Sequence, residues 1–308
     1  MRVDGNSMSK EKVIWLDGEL VPWDEATIHV TSYGLYFGIG FFEAIRTFDT
    51  PDGPAFFRLD DHLKRLSDTA HTYLATLPYS QSDLIAACKQ VVQANDLAEC
   101  LVRPIVFLGD GDHPLAAKWR ATVIAMSRGP YVSLPDEGGI HAKISSFHRM
   151  SANALPPAAK ATGQYLNAYL AQSDALGAKY DDALLLNEHG HVVDGWVHNI
   201  FVVRDGVVRT PPVSAGALAG ITRDTMITLA REQGLTCVEE NLVRTDLYNA
   251  DEVFLTGTSA GLVPVISVDR RTVGDGKPGE ISRTLADMFG DIVHGRVDIH
   301  AEWREPVG

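Results

Sequence analysis

The sequence predicts a two-domain α+β (α/β) chain, with a smaller N-terminal α+β domain and a larger β-rich C-terminal domain carrying inserted helices. Three observations support that expectation. A turn-forming Asp17-Gly18 pair and two stretches of helical spacing come first; a polar, Pro/Gly-bearing stretch from Arg128 to Gly139 follows; strand-like runs punctuated by glycine come after it. The 308 residues are 45% hydrophobic, enough apolar material for two ordinary cores. The expected domains are 1–130 and 140–308, joined by an interdomain loop at 131–139.

Val13, Trp15, Leu20 and Val21 flank Asp17-Gly18, a pair suited to a tight turn, so Lys12 to Trp23 reads as a hairpin. From Arg58 to Ala75, Leu63, Leu66, Ala70, Tyr73 and Leu74 recur at helical spacing, and Ile85, Cys88, Val91 and Val92 repeat it between Ser82 and Ala94. Leu101 to Leu108 and Ala121 to Met126 are apolar and strand-like. Beyond the connecting stretch, strands are expected at 142–146, 183–186, 192–193, 200–208, 252–255 and 263–268, with helices after Lys160, over 222–232 and over 280–293.

Composition excludes several function classes. With 40 acidic against 27 basic residues the net charge is −13, which repels nucleic-acid backbones and anionic lipid. The first residues lack an apolar leader and no apolar run is long enough to span a bilayer, so a cytoplasmic protein is expected. Cys88, Cys100 and Cys237 are widely spaced and odd in number, which predicts reduced, buried thiols rather than a disulfide or thiolate metal site. No metal is expected: the histidines lack ligand spacing, and Asp110-Gly111-Asp112 lacks the closing acid of a calcium loop. Gly38 and Gly40 form a GxG without the rest of a dinucleotide fingerprint.

The candidate chemistry centres on Lys160, in PPAAKATGQYLNAYLAQ. Small neighbours leave room beside its amine, and a lysine can bind an aldehyde cofactor covalently; Tyr165 lies within reach of the same region. The segment from Gly220 into GITRDTMITLAREQG puts small and hydroxyl residues at a helix start, where Thr222 serves either as an ordinary N-cap or as part of an anion site. LTGTSAG, from Leu255 to Gly261, is either a plain turn or a second source of hydroxyl and amide donors. Arg58, a cation at a helix start, answers either an external anion or Asp60 or Asp61. Asp194, among apolar neighbours in VVDGWVHNIFVV, is either a buried carboxylate or part of an Asp-Gly turn. An amine, a tyrosine, a carboxylate, an arginine and two anion-binding loops match the needs of pyridoxal 5′-phosphate.

With IWLDGELVPWDEATIHV, FFEAIRTFD, FFRLDDHLKRL, VRPIVFLGD, SSFHRMSANALPPAAKATGQYL, VVDGWVHNIF, ALAGITRD and NADEVFLTGTSAG in order, the chain resembles fold type IV, class IV aminotransferases, and within them the branched-chain amino acid aminotransferase family. The resemblance runs almost end to end and implies a cofactor at the domain interface. It implies that Lys160 holds the cofactor aldehyde and shuttles a proton, and that Tyr165 binds the phenolic oxygen. Arg58, Ile221, Thr222 and Thr258 would take the phosphate, Leu218 would pack on the ring, and Asp194 would face the ring nitrogen. Phe37, Phe42, Leu101, Arg103, Tyr131, Thr258 and Ser259 are the implied substrate-binding positions, with Arg103 or Arg128 for a distal carboxylate. A homodimer is implied, with Tyr36 and the loop near Asp112 contributing across it.

The sequence departs from that family where glutamate is usual at Asp194, where small residues and glutamate give way to Trp196, Val197 and His198, and where tyrosines are common at Phe37 and Leu101. The expected reaction is transamination between an apolar, branched-chain-like L-amino acid and a 2-oxo acid such as 2-oxoglutarate. The departures point to two alternatives: a relative acting on D-amino acids or amines, or as a lyase; and a low-turnover cofactor-binding homologue in which Trp196 and His198 crowd the site.

Overall fold

A computed structural model describes residues 11–127 and 138–308, which form two compact units. The N-terminal unit takes 11–127, but also Ala159–Gly163 and Asp291–Gly308; the C-terminal unit takes 138–158 and Gln164–Gly290. Both returning segments lie beyond 131–139 in sequence yet belong with the N-terminal unit. Arg128 and Tyr131 lie outside the described residues.

The N-terminal unit opens on the expected hairpin, β1 (Val13–Leu16) against β2 (Glu19–Pro22). Asp17 and Gly18 both take positive φ, 48° and 103°, which matches the strand twist in a two-residue turn. After a short helix α1 (Tyr33–Tyr36) come β3 (Gly40–Phe42), β4 (Ile45–Phe48) and β5 (Ala55–Phe57). Helices α2 (Leu59–Thr72) and α3 (Gln81–Asn95) follow, then the long antiparallel pair β6 (Cys100–Leu108) and β7 (Trp119–Ser127). The C-terminal strand Arg304–Pro306 returns to pair with β5 at one end of this sheet. Leu59, Leu63, Leu66 and Ala70 of α2 meet Leu84, Cys88, Val91 and Val92 of α3 over Val102, Val123 and Phe41, as the helical spacing predicts. Ser80 and Asp83 form a reciprocal capping box at the start of α3.

The glycines of the GxG serve a close approach rather than a nucleotide. Thr162 Oγ1 donates to the carbonyls of Gly38 and Gly40 at 2.7 and 3.2 Å, and a Cβ on Gly38 would meet Gly163 Cα at 3.4 Å. Together with a Phe41–Ala161 bridge, this ties the segment holding Lys160 to β3.

In the C-terminal unit, β8 (Ile140–Ile144) leads through the Lys160 region to α4 (Tyr165–Gly177), preceded by a short 3-10 turn, Thr162–Gln164. Then come β9 (Asp182–Leu186), β10 (Val192–Gly195), β11 (Asn199–Arg204), β12 (Val207–Thr210), α5 (Ile221–Glu232), β13 (Cys237–Glu239) and α6 (Arg244–Tyr248). The hairpin β14 (Glu252–Gly257) and β15 (Gly261–Val268), a two-residue β16 (Arg271–Thr272) and most of α7 (Glu280–Val293) complete it. The sheet closes on itself: β10-β9-β8-β15-β14-β11 is a path whose ends, β10 and β11, also pair. Ile144, Leu184, Val192, Ile200, Val202, Leu255 and Val265 are among the residues of the buried cluster these strands share.

Cys88 and Cys100 are buried as expected, but Cys237 is only half-buried; all three are free thiols. No described helix is long and apolar enough to cross a membrane.

Candidate functional site

In the N-terminal unit, Lys160 precedes the 3-10 turn, half-buried, and its backbone is held on both sides. Its N–H donates to Thr69 Oγ1 at 3.1 Å and its carbonyl accepts from the Phe42 N–H at 3.2 Å. The Lys160 Nζ stands 4.9 Å from the Phe42 ring centroid, and the Arg103 guanidinium stands 5.3 Å from the same centroid. One aromatic ring therefore orients two candidate cations. Leu101 is buried and Phe37 is 58% exposed, its ring tilted against those of Tyr33 and Tyr36.

Behind this lies a buried charge cluster that sequence reasoning missed. Glu43 follows Phe42 and is fully buried; Arg65 donates to both its oxygens, at 2.7 and 2.8 Å, and His62 Nδ1 is 2.8 Å from Oε2. Burial alone would raise the Glu43 carboxyl, but Arg65 and His62 outweigh it and hold it well below the usual range. Burial lowers His62 below its ordinary value. His62, Arg65 and Thr69 recur at helical spacing along α2, so one helix face grips both Glu43 and the Lys160 backbone. A glutamate inside the apolar run FFEAIR was the available signal.

Arg58 makes one of the two ion pairs foreseen for it, with Asp61, Nε to Oδ2 at 2.6 Å, and it caps α2 in a left-handed conformation with φ 52°. Asp60 and Asp61 occupy the first helical turn, where they complement the dipole.

The C-terminal unit gathers Asp194, Leu218, Ile221 and Thr222. Asp194 and Gly195 are not a turn: both lie in β10, and Asp194 sits opposite Asn199 across the β10–β11 ladder, 4% exposed. Asn199 Nδ2 donates to Asp194 Oδ1 and to the Leu218 carbonyl, each at 2.9 Å, and the Leu218 N–H donates to Oδ2 at 3.1 Å. Burial pushes the Asp194 carboxyl up to about 6, against the pull of Arg149, the Leu218 N–H and Asn199. Asn199 and Arg149 were not among the candidates. Asn199 was legible only as the residue that ends the WVH run.

The N-cap of α5 is Gly220, not Thr222, and it makes no side-chain cap hydrogen bond; Ile221 and Thr222 fill the buried first turn. A Cβ on Gly220 would fall 1.9 Å from Asn199 Oδ1, so only glycine fits beside that amide. Thr258 and Ser259, half-buried, form the turn joining β14 to β15, and Tyr165 is the first residue of α4. Trp196 packs against the cluster of Ala171, Ala175, Ala183 and Leu185, and His198 Nδ1 lies 3.1 Å from Asp182 Oδ2. Trp196 and His198 are thus engaged with α4, β9 and Asp182.

These residues suit a phosphorylated, nitrogen-bearing ring. The buried Asp194 carboxyl is aimed by two donors, and burial disfavours its charged form. Thr256 Oγ1, on the residue opposite Asn199, and Arg149 Nε are buried without a hydrogen-bond partner.

Comparison with known proteins gives one answer. The model of the amino-transferase class IV family matches residues 40–268. The branched-chain-amino-acid aminotransferase of Pseudomonas aeruginosa is 41% identical over 299 residues, covering 96% of this chain and 97% of the relative. The crystal structure of the Escherichia coli branched-chain amino acid aminotransferase matches with a TM-score of 0.93 at 37% identity, covering 97% of this chain and all of that one. The branched-chain amino acid aminotransferase from Thermobaculum terrenum, solved in its PLP-form, matches with a TM-score of 0.90 at 34% identity, covering 97% of this chain and 99% of that one. Other matching branched-chain aminotransferase structures were solved with pyridoxamine 5′-phosphate and with N-(5′-phosphopyridoxyl)-L-glutamate. Matched nearly from end to end by these relatives, and over more than half its length by the family model, the chain belongs to the class IV aminotransferases.

Proposed function

We propose that this chain is a pyridoxal-phosphate-dependent aminotransferase that moves the amino group of a branched-chain L-amino acid to 2-oxoglutarate or a similar 2-oxo acid. The observation that carries the reading is Asp194: a buried acid held by Asn199 and the Leu218 N–H, whose charged form burial disfavours and a facing cation would favour. A protonated ring nitrogen is such a cation.

When bound, the cofactor supplies a ring that accepts the electron pair left on the substrate α-carbon. The chain supplies the rest. The Lys160 amine would hold the cofactor aldehyde and, once the substrate amine has displaced it, would carry the proton from the substrate α-carbon to the cofactor. Asp194 keeps the ring nitrogen protonated, Tyr165 donates to the phenolic oxygen, and Leu218 packs on the ring. Arg58, the Thr258 hydroxyl and the first-turn residues Ile221 and Thr222 receive the phosphate. Phe37, Phe42 and Leu101 accept the apolar side chain; Arg103 accepts a distal carboxylate, with Tyr131 and Ser259 as further substrate contacts. The engagement of Trp196 and His198 with neighbours of their own argues against a crowded, low-turnover site.

The protein is proposed to work as a cytoplasmic homodimer. Purified protein mixed with L-leucine and 2-oxoglutarate forms L-glutamate and the branched keto acid, and Lys160→Ala abolishes this. No product from any apolar L-amino acid, or product from D-leucine alone, refutes the proposal.

A further inference from the structure

The C-terminal segment folds back onto Arg58. Arg304–Pro306 pairs antiparallel with β5, Arg304 opposite Phe57, so the chain just before it reaches the start of α2. There the Arg58 N–H donates to the Trp303 carbonyl at 2.7 Å. The Arg58 guanidinium carbon lies 5.4 Å from the Trp303 ring centroid. His300 stacks on that ring with centroids 3.7 Å apart and planes 3° from parallel, and Phe57 meets it edge-on at 5.9 Å.

Arg58 is an unusual residue to orient. Its backbone is left-handed, a conformation that a bulky side chain adopts only when its surroundings impose it. The Asp61 carboxylate that takes its Nε is about half exposed, so water screens that ion pair. An aromatic face backed by a second ring offers a firmer hold on a planar cation.

We infer that Trp303, backed by His300, is the positioning residue for Arg58, so that the C-terminal segment sets the preference of the site for a phosphorylated cofactor. The inference rests on reading Arg58 as a phosphate contact. Trp303 acts only through Arg58, and its loss therefore affects the phosphate and spares the rest of the cofactor.

The test compares dissociation constants of pyridoxal 5′-phosphate and of pyridoxal, measured by absorbance titration of the cofactor-free protein. Arg58→Gln and Trp303→Leu should each weaken pyridoxal phosphate about tenfold, the size of one cation–π contact, while pyridoxal changes by less than about twofold. Trp303→Phe should recover most of the loss. The double variant Arg58→Gln/Trp303→Leu should lose no more than Arg58→Gln alone, because both act through one contact. Additive losses, equal losses for the two ligands, or no loss in Trp303→Leu overturn the inference. If Arg58→Gln itself does not discriminate the ligands, the reading of Arg58 falls first and the inference with it. If Trp303→Leu does not fold, His300→Ala must show a phosphate-specific loss of about threefold, or the inference fails.

Discussion

Asp194→Asn should change the pH dependence of stability in the cofactor-free protein by an amount that follows from burial. The folded carboxyl titrates at about 6, against an ordinary value of 3.8 for the free side chain. The folded chain thus keeps a proton that the unfolded chain releases. Its contribution to stability is greatest below about pH 3.8, falls as pH rises from there to about 6, and is level above it. The gap of about two units corresponds to ~3 kcal/mol in full, of which ~2 kcal/mol falls between about pH 4.5 and pH 7.5. Asparagine carries no charge, but it can accept from only one of the two donors that Asp194 satisfies, at a roughly constant cost of ~1–3 kcal/mol. The discriminating quantity is therefore the slope and not the offset. Urea unfolding of both proteins across that range should show the wild type losing ~2 kcal/mol relative to the variant as pH rises. A difference that stays flat, or that grows in the other direction, refutes the account of Asp194 as a carboxyl whose charge burial disfavours.

Gly220→Ala places a Cβ where Asn199 Oδ1 lies, so the amide must swing away from Asp194 and the Leu218 carbonyl; a loss of ~1–3 kcal/mol and weaker cofactor binding are expected, read by thermal melts and absorbance titration. Glu43→Gln removes the carboxylate that Arg65 and His62 share and should cost ~3–5 kcal/mol by urea unfolding; the added cost of Arg65→Met in the same chain should be far below its cost alone. Ser80→Ala breaks an exposed capping box and should cost ~1 kcal/mol with no change in kcat.

What the sequence revealed was whatever a few neighbouring residues determine. The Asp17-Gly18 turn and the helices built on Leu63, Leu66, Cys88 and Val91 follow from local chemistry and spacing, and they fold as expected. The Arg58–Asp61 ion pair was legible for the same reason, as an i, i+3 relation on a helix. The alternatives that stayed open in the sequence turn on a distant strand. Asp194-Gly195 is turn chemistry by itself, but pairing with Leu184, Leu185 and Asn199 keeps it in a strand. The α5 cap moved from Thr222 to Gly220 because Asn199, from β11, occupies the space that any side chain at 220 would need. Trp196 read as an obstruction because its partners on α4 and β9 are not its neighbours in sequence. Trp303 offered no periodic pattern, and its meaning depends on the pairing of Arg304 with Phe57, from opposite ends of the chain.

The grouping of Ala159–Gly163 and Asp291–Gly308 with the N-terminal unit means that the chain changes unit more than once along its length. No single cut yields two complete fragments. A piece ending near residue 127 would keep β5 but lack the strand that covers it and the residues that bridge to Phe41, leaving an open sheet edge prone to aggregation. A piece starting at 138 would carry Lys160 without the Thr69 and Phe42 groups that fix its backbone. The Lys160 backbone is thus anchored by residues far upstream of it, while β5 is covered only by the strand Arg304–Pro306, so the N-terminal unit is completed by segments from both sides of the C-terminal one.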